Sequence, residues 1–133
     1  MEIKEYEEFA QAFKKVEAIC TEIMNKLAYK PDENEEDVDR YDFVIQTESP
    51  EYLRLFVRED DCVELYWWEE DDYDESTLVI PKEVFINENI DEWCEKILME
   101  HRRKREEEQK RLEAEKEARE RKLYEELKKK YEV

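Results

Sequence analysis

The sequence predicts an α+β fold in which a small antiparallel sheet of three or four strands is packed by an N-terminal helix and followed by a long charged C-terminal helix. Three observations predict it. Apolar residues near the N-terminus recur at spacings of three and four, short apolar-polar alternations joined by brief acidic connections fill the middle, and the last third is a charged run without proline or glycine.

The first element runs from about Ile3 to Tyr29. Tyr6, Phe9, Phe13, Val16, Cys20, Ile23 and Leu27 fall on one helical face, because residues three and four apart in a helix lie above one another. That stripe is expected to pack on the protein's own sheet, with a coiled-coil contact to a second chain as the alternative. Pro31 and the acidic run 32–39 end it.

Tyr41 to Thr47, Tyr52 to Arg58 and Cys62 to Trp68 are strand candidates, and Thr77 to Ile80 is a fourth. Their connections suit antiparallel hairpins, since parallel pairing needs a crossover of about a dozen residues or more. Alternation assigns Leu53, Leu55 and Val57 to the core face with Val63, Leu65 and Trp67. Tyr52, Phe56, Tyr66 and Trp68 fall on the opposite side, to be covered by the C-terminal helix, covered by another subunit, or left as a binding patch. Without glycine, Asn and Asp must carry any left-handed turn positions.

Residues 82–86 read as a short helical turn or an edge segment. Asn89 or Asp91 can cap the last helix, and Ile90, Trp93, Cys94, Ile97 and Leu98 give its first turns an apolar face. From Glu100 to Arg111 no apolar residue follows, and six acid-before-base pairs at four-residue spacing, such as Glu115 with Arg119, favour an exposed helix. Apolar residues return at Leu123, Tyr124, Leu127 and Tyr131, which are expected to dock on a neighbouring chain or partner, or else to fold back onto the sheet. The organisation is therefore a compact domain over 1–98 and a charged helical extension with an apolar tip over 99–133.

Composition bounds the function. A chain of 133 residues supports one modest core, and its 12% aromatic content is too high for a wholly disordered acidic chain despite a net charge of -18. The absence of glycine excludes the usual phosphate loops, the dinucleotide fingerprint and the Gly-containing calcium loop. Cys20, Cys62 and Cys94 are too far apart for a zinc knuckle or redox pair and read as free thiols. With no apolar segment of about 20 residues, no membrane span is expected, and the reading is a cytoplasmic protein.

Chemistry-bearing residues are sparse. His101 opens the basic run His101-Arg102-Arg103-Lys104-Arg105 and has no partner in a nucleophile or zinc motif, so no catalytic site, cofactor or metal is expected. Asp71, Asp72, Asp74 and Glu75 supply oxygen ligands in principle but read as a solvated loop. Direct nucleic-acid binding is not expected either, because residues 41–100 carry 19 acids and 4 bases. That acidity defines the alternative function. Glu59, Asp60, Asp61, Glu64, Glu69, Glu70, Asp71, Asp72, Asp74 and Glu75 could imitate a phosphate array and inhibit a basic DNA- or RNA-binding protein.

The segment Tyr124-Glu-Glu-Leu127-Lys-Lys-Lys-Tyr131-Glu132, with the small acidic body, resembles small acidic accessory proteins of bacteriophages and prophages. The resemblance implies a host-takeover or anti-defence setting in the host cytoplasm and transfers no site residue. The expected function is non-catalytic protein binding or assembly, with a homo-oligomer as the expected state.

Overall fold

The computed structural model describes residues 1–31, 39–69 and 75–132. Helix α1, Ile3–Leu27, leads into a 3-10 turn at Arg40–Asp42 and then a three-stranded sheet of β1 (Arg54–Val57), β2 (Val63–Trp68) and β3 (Glu75–Ile80). Helices α2, Lys82–Asn87, and α3, Ile90–Tyr131, complete the chain. The class is α+β, with strand order β1-β2-β3 and both pairings antiparallel.

Register follows the alternation. Leu55 lies opposite Leu65 and Val57 opposite Val63, while Val63 and Leu65 meet Ile80 and Leu78 of β3. Val63, Leu65 and Trp67 are buried on the central strand, where neighbours on both sides and a helix layer cover them. Cys20, Ile23, Met24 and Leu27 of α1 close over this face, with Val84 of α2 and Cys94 of α3 joining the same cluster. The core thus draws on every helix but only on the C-terminal half of α1.

Geometry explains that restriction. A helix of 25 residues is about 38 Å long, whereas a six-residue strand spans about 20 Å. The sheet is too short to cover the whole stripe. Tyr6, Phe9 and Phe13 are consequently exposed, and the Phe9 and Phe13 rings stack on each other at 5.9 Å.

Several expectations are corrected. The segment 41–47 is not a strand of the sheet: the Asp39 carboxylate accepts the Tyr41 amide at 2.9 Å and caps a 3-10 turn instead. Only Ile45 makes a ladder-like contact, a parallel bridge to Ala28. Its amide donates to the Leu27 carbonyl at 3.1 Å and its carbonyl accepts from Tyr29 at 2.8 Å, which draws the chain into an extended form and stops α1 at Leu27 rather than Tyr29. Residues 82–87 are helical, and Asn89 sits at the N-cap of α3 without a side-chain hydrogen bond.

Among the described residues two take the left-handed backbone that glycine normally supplies. Asp61 (φ 64°) does so in the β1–β2 turn, as expected of an Asp, whereas Glu88 (φ 50°), neither Asn nor Asp, does so at the C-cap of α2 against that expectation. Leu53 and Val57, assigned to the core face, are exposed, since β1 is an edge strand of four residues and α1 lies over the centre of the sheet.

Helix α3 is anchored over its first four turns. Trp93, Cys94, Ile97 and Leu98 pack on the core, His101 Nε2 donates to the Tyr41 carbonyl at 2.9 Å, and Arg105 pairs with Asp42 and, at 3.3 Å, with Asp39. Beyond Arg105 every described residue of α3 is exposed. A 42-residue helix is about 63 Å long, so roughly 40 Å of it stands clear of the body. The expected boundary at residue 98 therefore falls inside a continuous helix whose side-chain anchorage extends to Arg105.

Candidate functional site

The free part of α3, residues 106–131 and hereafter the arm, is helical because its first turns are already fixed on the core. Helix nucleation is the costly step, and extending a formed helix adds one hydrogen bond per residue. Ala, Glu, Lys, Arg, Gln and Leu dominate the arm, all residues of good helix propensity. Glu115 pairs with Arg119 at 3.9 Å as expected, whereas Arg111 turns to Glu108 and Glu115, and Lys128 pairs with Glu132. Such exposed pairs each contribute only about 0–1 kcal/mol and exchange partners readily.

Leu123, Tyr124, Leu127 and Tyr131 lie at the end of the arm and are all exposed, Leu127 least at 46%. Leu112, farther back, is exposed as well. The sequence pattern brings Leu123, Leu127 and Tyr131 onto one side, and among the described residues nothing of the body covers that side. Among the described residues, fold-back onto the sheet does not occur.

The basic run is used at home. Arg105 is held by Asp39 and Asp42 and lies over the Tyr41 ring, and Arg102 lies over Phe43. The Tyr41 amide, then Arg105, hold the Asp39 carboxyl below its usual range. Arg103 and Lys104 face outward and pair with Glu107 and Glu100.

The outer face of the sheet carries a second apolar surface. Phe56 and Tyr66 meet edge-to-face at 5.8 Å, with the Arg54 guanidinium over both rings. Arg54 also pairs with Glu75 across the sheet, and Trp68 and Val79 are exposed beside them. The Tyr66 hydroxyl donates to Glu64 at 2.7 Å, a bond to a carboxylate that raises the Tyr66 pKa. Among the described residues no helix covers this face. Tyr52 is not part of it. Because β1 begins only at Arg54, alternation does not extend back to Tyr52, which packs on the core and donates its hydroxyl to Glu17 of α1 at 2.7 Å.

The proposed acidic array is divided by its local chemistry. Glu69 is 8% exposed and structural: its Oε1 accepts from Trp67 Nε1 at 2.8 Å and the Gln46 amide at 3.2 Å, and its Oε2 accepts from Thr47 Oγ1 at 2.9 Å. Glu64 and Asp60 lie 3.4 Å from Arg58, and Glu75 faces Arg54. The Cys62 amide, donating to the Asp60 carboxylate, lowers the Asp60 pKa. Glu59 and Asp61 are exposed in the turn, while Glu70, Asp71, Asp72 and Asp74 lie outside the described residues.

Among the described residues no group of three or more His, Cys, Asp or Glu side chains is placed to hold a metal ion, and no helix is long and apolar enough to cross a membrane. The exposed half of α1 departs from the expectation that the whole stripe packs on the sheet, and it leaves Tyr6, Phe9 and Phe13 on the side for which a contact with a second chain was the alternative. Its signal was present: a 25-residue stripe beside strands of at most six or seven residues leaves apolar length to spare. Comparison with family models, with curated proteins and with solved structures finds no match to this chain.

Proposed function

We propose that this protein is a non-catalytic assembly protein that joins protein chains through the arm of α3. One observation carries the reading. The helix leaves its core at Arg105, runs about 27 Å as a charged spacer to Leu123 and ends in Leu123, Tyr124, Leu127 and Tyr131, apolar residues that its own chain leaves exposed. A solvated helix gains nothing from such a cluster, while contact with a second surface removes it from water at about 25 cal/mol per Å² of apolar area. The outer sheet face, with Phe56, Tyr66 and Trp68, offers an additional contact. The three free thiols fit a reducing, cytoplasmic setting.

The test is solution mass over a micromolar concentration series, by sedimentation or light scattering. Replacing Leu123, Leu127 and Tyr131 together by Ala is expected to abolish assembly while the body unfolds with unchanged cooperativity. An assembly unaffected by that replacement, or a wild-type chain that stays monomeric throughout, overturns the reading.

A further inference from the structure

The charge sequence of the arm has a symmetry of its own. Glu106, Glu107 and Glu108 lie as far before Ala118 as Lys130, Lys129 and Lys128 lie after it, and Lys110 and Arg111 correspond in the same way to Glu126 and Glu125. The relation continues inward through Glu115 with Arg121, Lys116 with Glu120 and Glu117 with Arg119. Between residues 104 and 132, no two charged residues equidistant from Ala118 have the same sign.

Resting on the arm as the contact element, we infer that its partner is a second copy of this chain, laid antiparallel with the two Ala118 residues at the same level. In that arrangement every level charged on both helices carries opposite signs, and the two basic tips lie along the two acidic stems. A parallel pair in register does the reverse. It sets Glu106–Glu108 against themselves and Lys128–Lys130 against themselves, and like charges at close range oppose association.

The apolar pattern agrees with this register. His101, Leu112 and Leu123 are eleven residues apart, as are Arg105, Lys116 and Leu127, and eleven residues make close to three full turns. The side of α3 that faces the body near Arg105 therefore continues along the arm as one seam. Across the dyad, Leu112 lies level with Tyr124 of the other copy and next to its Leu123, Gln109 with Leu127, and Lys116 with Glu120. Tyr131 arrives level with Arg105, beside the exposed Tyr41 ring over which that guanidinium lies. The arm is exposed along its whole length, so no packing against the body has to be broken. Its own ion pairs are solvent-exposed and free to exchange.

Two chains test the register by charge reversal, one carrying Glu106→Lys, Glu107→Lys and Glu108→Lys, the other Lys128→Glu, Lys129→Glu and Lys130→Glu. Each alone is expected to raise the dissociation constant of the dimer about ten-fold or more, and an equimolar mixture to restore it, with the recovered dimer weakening as salt rises. Circular dichroism of each chain checks that the helix is retained. Orientation is read separately with Gln109→Cys and Leu127→Cys, each in a Cys62→Ser background. Residues 109 and 127 of one arm are about 27 Å apart, so the mixture is expected to form a disulfide-linked heterodimer and neither chain alone a homodimer. Disulfide formation by the Gln109→Cys chain alone, or reversals without effect on a dimer that the triple alanine replacement still dissociates, overturns the antiparallel register and leaves the arm as the contact. A monomeric wild-type chain overturns both.

Discussion

Trp67 Nε1 donates a hydrogen bond of 2.8 Å to Glu69 Oε1, tying the last buried side chain of the central strand to a carboxylate two residues on. Through the same carboxylate the strand end reaches the Gln46 amide and Thr47 Oγ1, so Glu69 fastens the segment after Ile45 to the sheet. Glu69→Gln is expected to be tolerated within about 1 kcal/mol, since its amide oxygen can accept at the Oε1 position and its NH2 can donate to the Thr47 hydroxyl. Glu69→Ala orphans the Trp67 and Gln46 donors and is expected to cost about 2–4 kcal/mol. Urea denaturation of both variants checks the ordering, and equal losses would remove Glu69 from this role.

Ile23 and Leu127 are both helical aliphatic residues with opposite expected behaviour. Ile23 is fully buried, so Ile23→Ala is expected to destabilise the body by about 2–5 kcal/mol through lost contact and the cavity left behind. Leu127→Ala alters unfolding of the body by no more than about 0.5 kcal/mol and weakens assembly instead. Denaturation at a concentration below the assembly range, paired with solution mass, separates the two effects.

The cysteines differ in reactivity for a physical reason. Burial, with Glu17 adding to it, pushes the Cys20 thiol up to about 12. Burial likewise pushes Cys94 up to about 11 against the opposing pull of Lys26. At pH 8 one thiol per folded chain, Cys62, is expected to react promptly with a disulfide reagent, the other two following only on unfolding. Three prompt thiols would contradict the core as described.

Tyr52, two residues before β1, ties that end of the strand to α1 in a pH-dependent way. Its hydrogen bond to Glu17, then burial, push its pKa up to about 12. The folded state thus favours the neutral phenol, and the contribution is complete below the ordinary tyrosine value of about 10 and lost as pH rises towards 12. Tyr52→Phe is expected to cost about 0.5–1 kcal/mol at pH 8, a modest figure because solvent reaches the pair, and progressively less above pH 10. Denaturation midpoints of the two chains across that range are the measurement, and a constant difference would assign the loss to packing alone.

Much of the fold was legible where one pattern had one cause. Val63, Leu65 and Trp67 alternate because a buried central strand shows only one face to the core, and the unbroken charge pairs after Glu100 leave helix as the ordered option. Legibility failed where local hydrogen bonds overrode pattern. Tyr41 to Thr47 has strand-like residues, but the Asp39 cap and the single Ala28–Ile45 bridge shape it. Tyr52 was placed on the wrong face because alternation was carried upstream of Arg54, where the strand begins. Glu69 stood inside an acidic run, and nothing in its neighbours' identities marks the one carboxylate that folds inward. The exposure of Phe9 and Phe13 depended on the length of the sheet, a quantity that periodicity within α1 does not contain.

Helix α3 carries neither proline nor glycine from Ile90 to Tyr131. Kinks usually need one of these or a bulge in the hydrogen-bond ladder, so the backbone contains no built-in joint between the distal leucines and the Trp93–Cys94 packing. A load applied at the far end is therefore delivered as torque to the hydrophobic interior, with Arg105 and its two aspartates acting as the fulcrum. Capture of that end by a partner is expected to stiffen or tilt the whole element rather than wag a loose tether.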